Sequence, residues 1–514
     1  MKRPIPWLAL LLFFLPFNTT FQSCKNVSEE PPFDLTGENF FQNDDAAVRF
    51  VGKGYSHLNG FYFFGTLALQ ELTTDEMVQP FRGISFNYEE SYHQFHKHTY
   101  TPDERVLYGN WNFFYDGIEV CNGLISEMER VGRNNLQPFI SEVKVLRALY
   151  YFWLIDLYGN VPIITKFENA EVPRNSSRKE VFDFIENEIT ENADFLSKKT
   201  DPTTYGRITY FAAQALLAKL YLNAEVYTGE PAWPKAVAAC NAIINAGNYK
   251  LDADFFGNFK LDNENSPESV FAIPYEPSAN HIFFFAHLAS LHSASVKAFG
   301  LPYNIGYDRQ VCTLEDFFLS YTEEDIRKKG FLFGPQFEED GVTPVIDTNT
   351  NFPLDPDGPP LNYTPHITSF YGAFMQDGVR FTKFELPYKT NGIANREDFT
   401  NDFPVFRYAD ILMMKAEALW RINPADGEAL ALVNQIRERA GVPPFDQITA
   451  ENLLAERGRE FFIETWRRND LIRFGKYNDA WWEKPADPDV HVNIFPIPET
   501  ILEENPNLVQ NPGY

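Results

Sequence analysis

A chain of 514 residues with 44% hydrophobic side chains has enough apolar surface for one large domain or two to three ordinary ones, which excludes a disordered polymer. Its 71 acidic against 44 basic side chains leave a formal net charge of −27, which repels nucleic-acid phosphates and anionic lipid headgroups alike. Nucleic acid is not an expected partner, and any membrane attachment has to come from something other than a basic surface.

In chain order, Lys2 and Arg3 precede an apolar run from Trp7 to Phe17, interrupted by Pro16, and Phe21-Gln22-Ser23-Cys24 closes the segment. The run is far short of the ~20 residues that span a bilayer, so it reads as a cleaved signal, residues 1–23. Ser23 before Cys24 points to a bacterial lipoprotein, with the Cys24 thiol carrying lipid and the membrane held by acyl chains only. An ordinary secretory peptide with an incidental cysteine is the competing reading. Beyond it only Cys121, Cys240 and Cys312 remain, too few and odd in number for a disulfide framework.

Next comes His93-x-x-His96-x-His98, which on an extended segment would place His96 and His98 on one face. Metal binding is one reading; hydrogen-bonded histidines among Tyr92, Phe95 and Tyr100 are the other, and no cysteine or acidic ligand with zinc spacing stands beside them. From Glu142 to Tyr158 the side chains Leu146, Leu149, Tyr150, Trp153 and Leu157 form one helical stripe, which Gly159 ends. Arg207 to Ala224 repeats the period with the small residues Ala212, Ala215 and Ala218, and Pro234 to Ala246 turns Ala236, Ala239, Cys240 and Ile243 inward.

The segment from about Asp252 to Pro404 is different, rich in turn formers such as Asn263-Glu264-Asn265-Ser266-Pro267. Within it Asp347-Thr348-Asn349-Thr350-Asn351 begins like a calcium loop, but Phe352 stands where the turn glycine belongs and Gly358 where the bidentate glutamate belongs. After it the helical hairpin recurs: Arg407 to Arg421, then Asp426 to Ala440, whose Ala429, Leu432, Val433 and Ile436 reproduce the spacing of Ala236, Ala239, Cys240 and Ile243. Two such copies suggest tetratricopeptide-like units parted by a long insertion, against coincidence between two amphipathic helices. The spacing also predicts one helix over Leu454 to Arg473, with Arg457, Glu460, Glu464 and Arg467 on a single face. Carboxylates so placed could form an acid/base pair, but alternating signs at that spacing read better as ion pairs.

Arg407-Tyr408-Ala409-Asp410-Ile411-Leu412-Met413-Met414-Lys415-Ala416-Glu417-Ala418 resembles the RYADILLMKAEA signature of the SusD/RagB outer-membrane lipoproteins. Asn434 to Gly441, Leu454 to Phe461, Asp470 to Arg473, and the ending Pro496-Ile497-Pro498 to Gln510-Asn511-Pro512-Gly513-Tyr514 follow in that family's order. Thr74-Asp75-Glu76-Met77 and Ala148 to Pro162 are similar to it upstream, while Phe21 and Gln22 depart from its usual lipobox. The resemblance implies a mostly α fold, a tetratricopeptide-like helical-repeat scaffold with an irregular, loop-rich ligand-binding face. It divides the chain into the signal 1–23, an N-terminal region 24–250, a loop-rich insertion 251–404 and a C-terminal helical region 405–514. It further implies a lipoprotein on the outer membrane, facing outward, that passes an oligosaccharide to a TonB-dependent barrel transporter, a peptide being the alternative cargo. Structural calcium occurs in some members; otherwise no cofactor is expected.

Sugar binding needs flat aromatic faces for stacking and a few amides and carboxylates for hydroxyls. Phe86, Tyr88 and Tyr92, interleaved with Asn87, Glu89 and Glu90, form one candidate set. Phe299, Tyr303, Asn304, Tyr307, Asp308 and Arg309 form the second, with core packing the rival role for each ring. No GxSxG, HExxH, P-loop or GxGxxG motif occurs, so no catalytic residue is assigned; a surface glycoside hydrolase is the alternative class, because glycosidase carboxylates carry no universal motif.

Overall fold

In the computed structural model the described residues are 41, 43–83, 89–168, 172–275, 290–299, 311–346, 360–386 and 400–514. The helices are α1 (Asp44–His57), α2 (Glu89–Lys97), α3 (Arg105–Val131), α4 (Gln137–Leu157), α5 (Arg178–Asn192), α6 (Tyr210–Leu222), α7 (Ala224–Thr228), α8 (Trp233–Ile244), α9 (Glu315–Leu319), α10 (Tyr408–Ile422), α11 (Gly427–Arg439), α12 (Ala450–Phe461), α13 (Arg467–Arg473) and α14 (Glu499–Glu504). Local chemistry sets many of their ends. Glu104 caps α3 through Val106 N, and Gly132 ends it at φ +68°, a conformation glycine adopts without a Cβ penalty. Ser177 and Glu180 form a reciprocal capping box at the start of α5.

Helix α4 is buried almost throughout from Phe139 to Leu157, packed between α3 and α5. A helix apolar nearly all round can sit only inside a core, and its few polar side chains are each matched. Glu142 receives Arg207 and the Tyr55 hydroxyl, both at 2.6 Å. Arg147 forks onto Glu188 at 2.8 and 3.0 Å. Asp156 accepts from Asn469 at 2.7 Å, Tyr227 at 2.9 Å and Gln70 at 3.1 Å, tying three remote segments to one carboxylate.

The two hairpins with matching stripes, α6/α8 and α10/α11, stack directly: α6 packs on α8, α8 on α10, and α10 on α11. Both stripes are buried, Ala236, Ala239, Cys240 and Ile243 in one and Ala429, Leu432, Val433 and Ile436 in the other. The fold is thus mostly helical, with tetratricopeptide-like pairs in register across the intervening segment. That segment starts and finishes in one ladder, β2 (Ser269–Ile273) antiparallel to β8 (Phe403–Arg407), with Ser269 opposite Arg407 and Ile273 opposite Phe403. Three two-residue pairs complete the sheet structure described: β1 (Met77–Val78) with β3 (Cys312–Thr313), β4 (Phe331–Leu332) with β7 (Arg380–Phe381), and β5 (Gly334–Pro335) with β6 (Asn362–Tyr363).

Two sequence expectations are corrected. The single helix over Leu454 to Arg473 is two, α12 and α13, broken at Phe462 to Trp466, where Ile463 and Thr465 have φ of +57° and +65°. These are costly conformations for β-branched residues, and tertiary contacts hold them. Thr465 N–H donates to Glu71 Oε1 at 2.6 Å, and Lys383 Nζ reaches the last-turn carbonyls of Glu460 and Phe462 at 3.2 and 2.8 Å. The four charged residues therefore pair with other elements rather than with one another: Arg457 with Asp470, Glu460 and Glu464 with Arg407, and Arg467 with Asp75. The histidine cluster is likewise not extended, since His93 and His96 lie on α2 and His98 follows it at φ +54°. His96 Nε2 lies 2.8 Å from Trp482 O, and His98 is held on both nitrogens, by Asp487 at 2.8 Å and Thr73 O at 3.0 Å. All three cysteines beyond Cys24 are buried and free.

Candidate functional site

The β1/β3 ladder positions the candidate ligand segments. Its register sets Met77 opposite Thr313 and Val78 opposite Cys312, so the end at which the chain leaves β1 toward residues 79–83 is the end at which it enters β3 from residue 311. Residues 79–83 and residue 311, more than two hundred positions apart in sequence, are thereby side by side at a common root. Leu314 N–H to Glu76 O at 3.0 Å and Thr313 N–H to Val379 O at 2.9 Å extend the ladder on both sides.

Beneath this root lie two buried arginines. Arg82 donates to Phe374 O, to Asp377 O at 2.8 Å and to Cys312 Sγ at 3.3 Å. Arg380 donates to Asp377 O at 2.8 Å, Gly378 O at 2.7 Å and Met375 O at 2.9 Å. Gly378 is at φ +78°, and a Cβ there would meet Cys312 Sγ at 2.3 Å, so the turn closes on the ladder only with glycine. Asp377 turns its carboxylate inward, taking Thr368 N–H at 2.9 Å and Phe374 N–H at 3.0 Å. Burial, and then the like charge of Arg380, push Arg82 down to about 9, still protonated at neutral pH. The stretch 290–299 is pinned to the same pedestal: Phe381 N–H donates to Ser290 Oγ at 3.2 Å, Ser295 Oγ meets the Tyr363 hydroxyl at 2.8 Å, and the Arg380 guanidinium lies 4.8 Å from the Tyr363 ring.

Replacing Arg82 with methionine keeps much of the side-chain volume but removes one donor each from Phe374 O and Asp377 O, which keep Asp377 N–H at 3.2 Å and Arg380 at 2.8 Å respectively. Each buried hydrogen bond lost costs about 0.5–1.5 kcal/mol. The expected result is a lowered denaturation midpoint accompanied by weaker ligand binding, read from the same preparation; binding at wild-type strength after that loss of stability would separate the pedestal from the site.

Beside the root stands an aromatic patch that sequence reasoning missed. Tyr371 is 61% exposed, its hydroxyl 2.7 Å from His93 Nδ1, with the His93 ring 4.8 Å and the Phe81 ring 6.4 Å from its own. Phe81 N–H donates to Phe370 O at 2.6 Å, which fixes residue 81 next to the turn carrying Tyr371. Burial lowers the pKa of His93, which favours its neutral imidazole beside the Tyr371 hydroxyl. The available signal was an aromatic pair, Phe370-Tyr371, inside a Ser/Gly turn, with nothing in its spacing to single it out.

Of the residues singled out from sequence, Cys24, Phe86, Tyr88, Tyr303, Asn304, Tyr307, Asp308 and Arg309 lie outside the described residues, as does the calcium-like stretch from Asp347 to Gly358. Tyr92 is on α2, half-buried against the main core. Phe299, expected on the ligand face, is only 9% exposed, so its ring goes to packing and offers little surface for stacking. Among the described residues no group of three or more His, Cys, Asp or Glu side chains is placed to hold a metal ion.

Residues 363–514 match the family model described as the SusD family, and residues 66–222 match one described as starch-binding associating with outer membrane. The chain belongs to the SusD family. It is 27% identical over 436 residues to the starch-binding protein SusD of Bacteroides thetaiotaomicron, covering 79% of this chain and 76% of that protein. It is 24% identical to SusD-like protein P38 of Formosa agariphila, with 96% of each chain covered. Its fold matches a laminarin-binding SusD-like protein at a TM-score of 0.74 and 22% identity, over 92% of this chain and 100% of that one. It also matches surface glycan-binding protein A of Bacteroides thetaiotaomicron, solved with laminarihexaose, at 0.72 and 21%, over 91% and 99%. This chain therefore shares the fold of these two solved SusD-like proteins.

Proposed function

We propose that this SusD family member is a lipid-anchored outer-membrane protein that binds a nutrient oligosaccharide and releases it, uncleaved, to a TonB-dependent barrel. The observation that supports the reading is the exposed Tyr371 ring standing beside residues 79–83, next to the ladder end that residue 311 enters. Relatives named for starch, laminarin and glycan binding support a sugar as cargo. The acidic charge of the chain is compatible with a neutral sugar and unfavourable for an anionic one. Anchoring rests on Cys24, and a tethered binder raises the local concentration of its cargo above the pore it serves.

The test is a glycan and peptide array on the mature protein, with Tyr371→Ala as the paired variant. A neutral glycan is expected as the hit, weakened about tenfold, or about 1.4 kcal/mol, by loss of the stacking ring, at an unchanged melting temperature. Selective peptide binding would replace sugar with peptide as cargo. Shortened glycan products that disappear on mutation of a carboxylate would instead make this a hydrolase.

A further inference from the structure

A cleft of about 480 Å³ is lined in part by Trp482, whose ring neighbours Phe370, the residue before Tyr371. Its apolar lining includes Trp481, Trp482 and Leu314, and its polar lining comes from Asp75, α9, α12, Arg467 at the start of α13 and the turn after α13. Both indoles are half-buried and held from behind. The Trp482 ring sits 6.4 Å from Phe370 and 5.7 Å from His96, while Trp481 is backed by Lys484 at 4.1 Å. Glu483, the next residue, accepts Phe370 N–H at 3.1 Å, so the indole pair and the Tyr371 turn are parts of one rigid partition.

The charged groups divide unevenly. Arg467 is taken by Asp75 through two bonds of 2.7 Å, and Lys476 lies 3.1 Å from Asp479. Glu315, Asp316 and Glu451 remain as excess negative charge, with His366 3.3 Å from Glu315 as a weak neighbour. Aromatic planes beside carboxylates that can accept hydroxyl protons are the lining a saccharide needs, and uncompensated negative charge excludes an anionic one. The volume falls within the ordinary range for a small-ligand site, ~300–1,000 Å³.

We infer that this cleft is a second saccharide site, selective for neutral sugar units, linked to the Tyr371 turn through the Phe370–Trp482 contact. The inference rests on the glycan reading above, and the experiment separates the two. Laminaritriose, maltotriose and trigalacturonate are titrated calorimetrically into wild type, Tyr371→Ala and Ala455→Trp. Ala455 lines the cleft from a partly exposed position on α12, so the larger ring fills the cleft without entering the core. Ser320→Tyr fills it from the opposite wall should the first variant fold poorly. Expected are two neutral trisaccharides bound by wild type, two by Tyr371→Ala with one of them about tenfold weaker, and one by each filled variant, with trigalacturonate at least about tenfold weaker at the cleft. A single wild-type site that Tyr371→Ala weakens and both filled variants retain would overturn the second site and leave the glycan reading standing. So would two sites that survive both fillers. Trigalacturonate bound at the cleft as tightly as the neutral sugars would overturn its selectivity. No trisaccharide bound by any protein overturns both readings together.

Discussion

Arg407→Met is expected to lose roughly 3–5 kcal/mol of stability, enough to unfold much of a protein of ordinary marginal stability. The guanidinium is buried where β8 becomes α10, and all its donors are used: Nε to Glu464 at 2.7 Å, Nη1 to Glu460 at 2.7 Å and Glu268 at 3.4 Å, and Nη2 to Glu464 at 2.9 Å and the Glu460 carbonyl at 2.8 Å. Removing it leaves three buried carboxylates short of positive charge, and that penalty exceeds what the pair contributed when intact. Burial alone would raise the Glu460 carboxyl, but Arg439, Arg407 and Arg327 together hold it well below the usual carboxylate range, and in the variant Arg439 and Arg327 remain to oppose its taking a proton. Arg407→Lys keeps the charge and loses the planar fork, and should fall between the two. Chemical denaturation of the three proteins checks this; a midpoint for the methionine variant equal to wild type would show the network to be energetically neutral.

The second large effect is on pH dependence. Glu71 and Glu76 lie together, fully buried, directly before β1. Glu71 Oε1 takes Thr465 N–H, and Arg467 Nε is 3.8 Å from Glu76. Tyr62, Lys383, Glu464 and Asp75 are the other ionisable groups facing them. Burial pushes Glu71 up to about 8 against the pull of the Glu76 hydrogen bond, Thr465 and Lys383, and burial with the charge of Glu71 raises Glu76 as well. The folded state therefore holds a proton that the unfolded chain, with a carboxyl near 4.5, has already released. The stability from this group is complete below about 4.5 and is lost as the pH rises through about 8. On the order of 1–3 kcal/mol should disappear between pH 5 and 9. Glu71→Gln keeps the acceptor for Thr465 and abolishes the titration, so the wild-type minus variant difference in unfolding free energy should slope downward across that window. A flat difference would show that the two carboxyls do not share a retained proton.

These two predictions also mark where reading along the chain stops. The stripe Leu146, Leu149, Tyr150, Trp153 and Leu157, the alanines of α6 and the twin stripes of α8 and α11 are visible because helical period is a property of neighbouring residues. So is the motif around Arg407, which points to the family without saying what the arginine touches. The break at Phe462 to Trp466 is invisible in the same way: Ile463 and Thr465 look helical, and the groups that hold them in left-handed conformations, Glu71 and Lys383, come from far up the chain. The sequence leaves His96 and His98 between metal ligation and hydrogen bonding, and which groups they meet, Trp482 O at His96 Nε2 and Asp487 and Thr73 O at His98, only the fold decides. Phe299 looks like a stacking ring until its burial in the fold removes its faces from solvent.

By itself, the order of residues determined the helical class, the repeated hairpin and the kinship with SusD proteins, since each depends on side chains within a few turns of one another. Tertiary structure alone decided that the two hairpins stack, that β1 meets β3 so that residues 79–83 and 311–314 share a root, and that Tyr371 stands open beside them. Those outcomes come from burying apolar faces and matching buried charges between segments hundreds of residues apart, and local periodicity carries no record of such pairings.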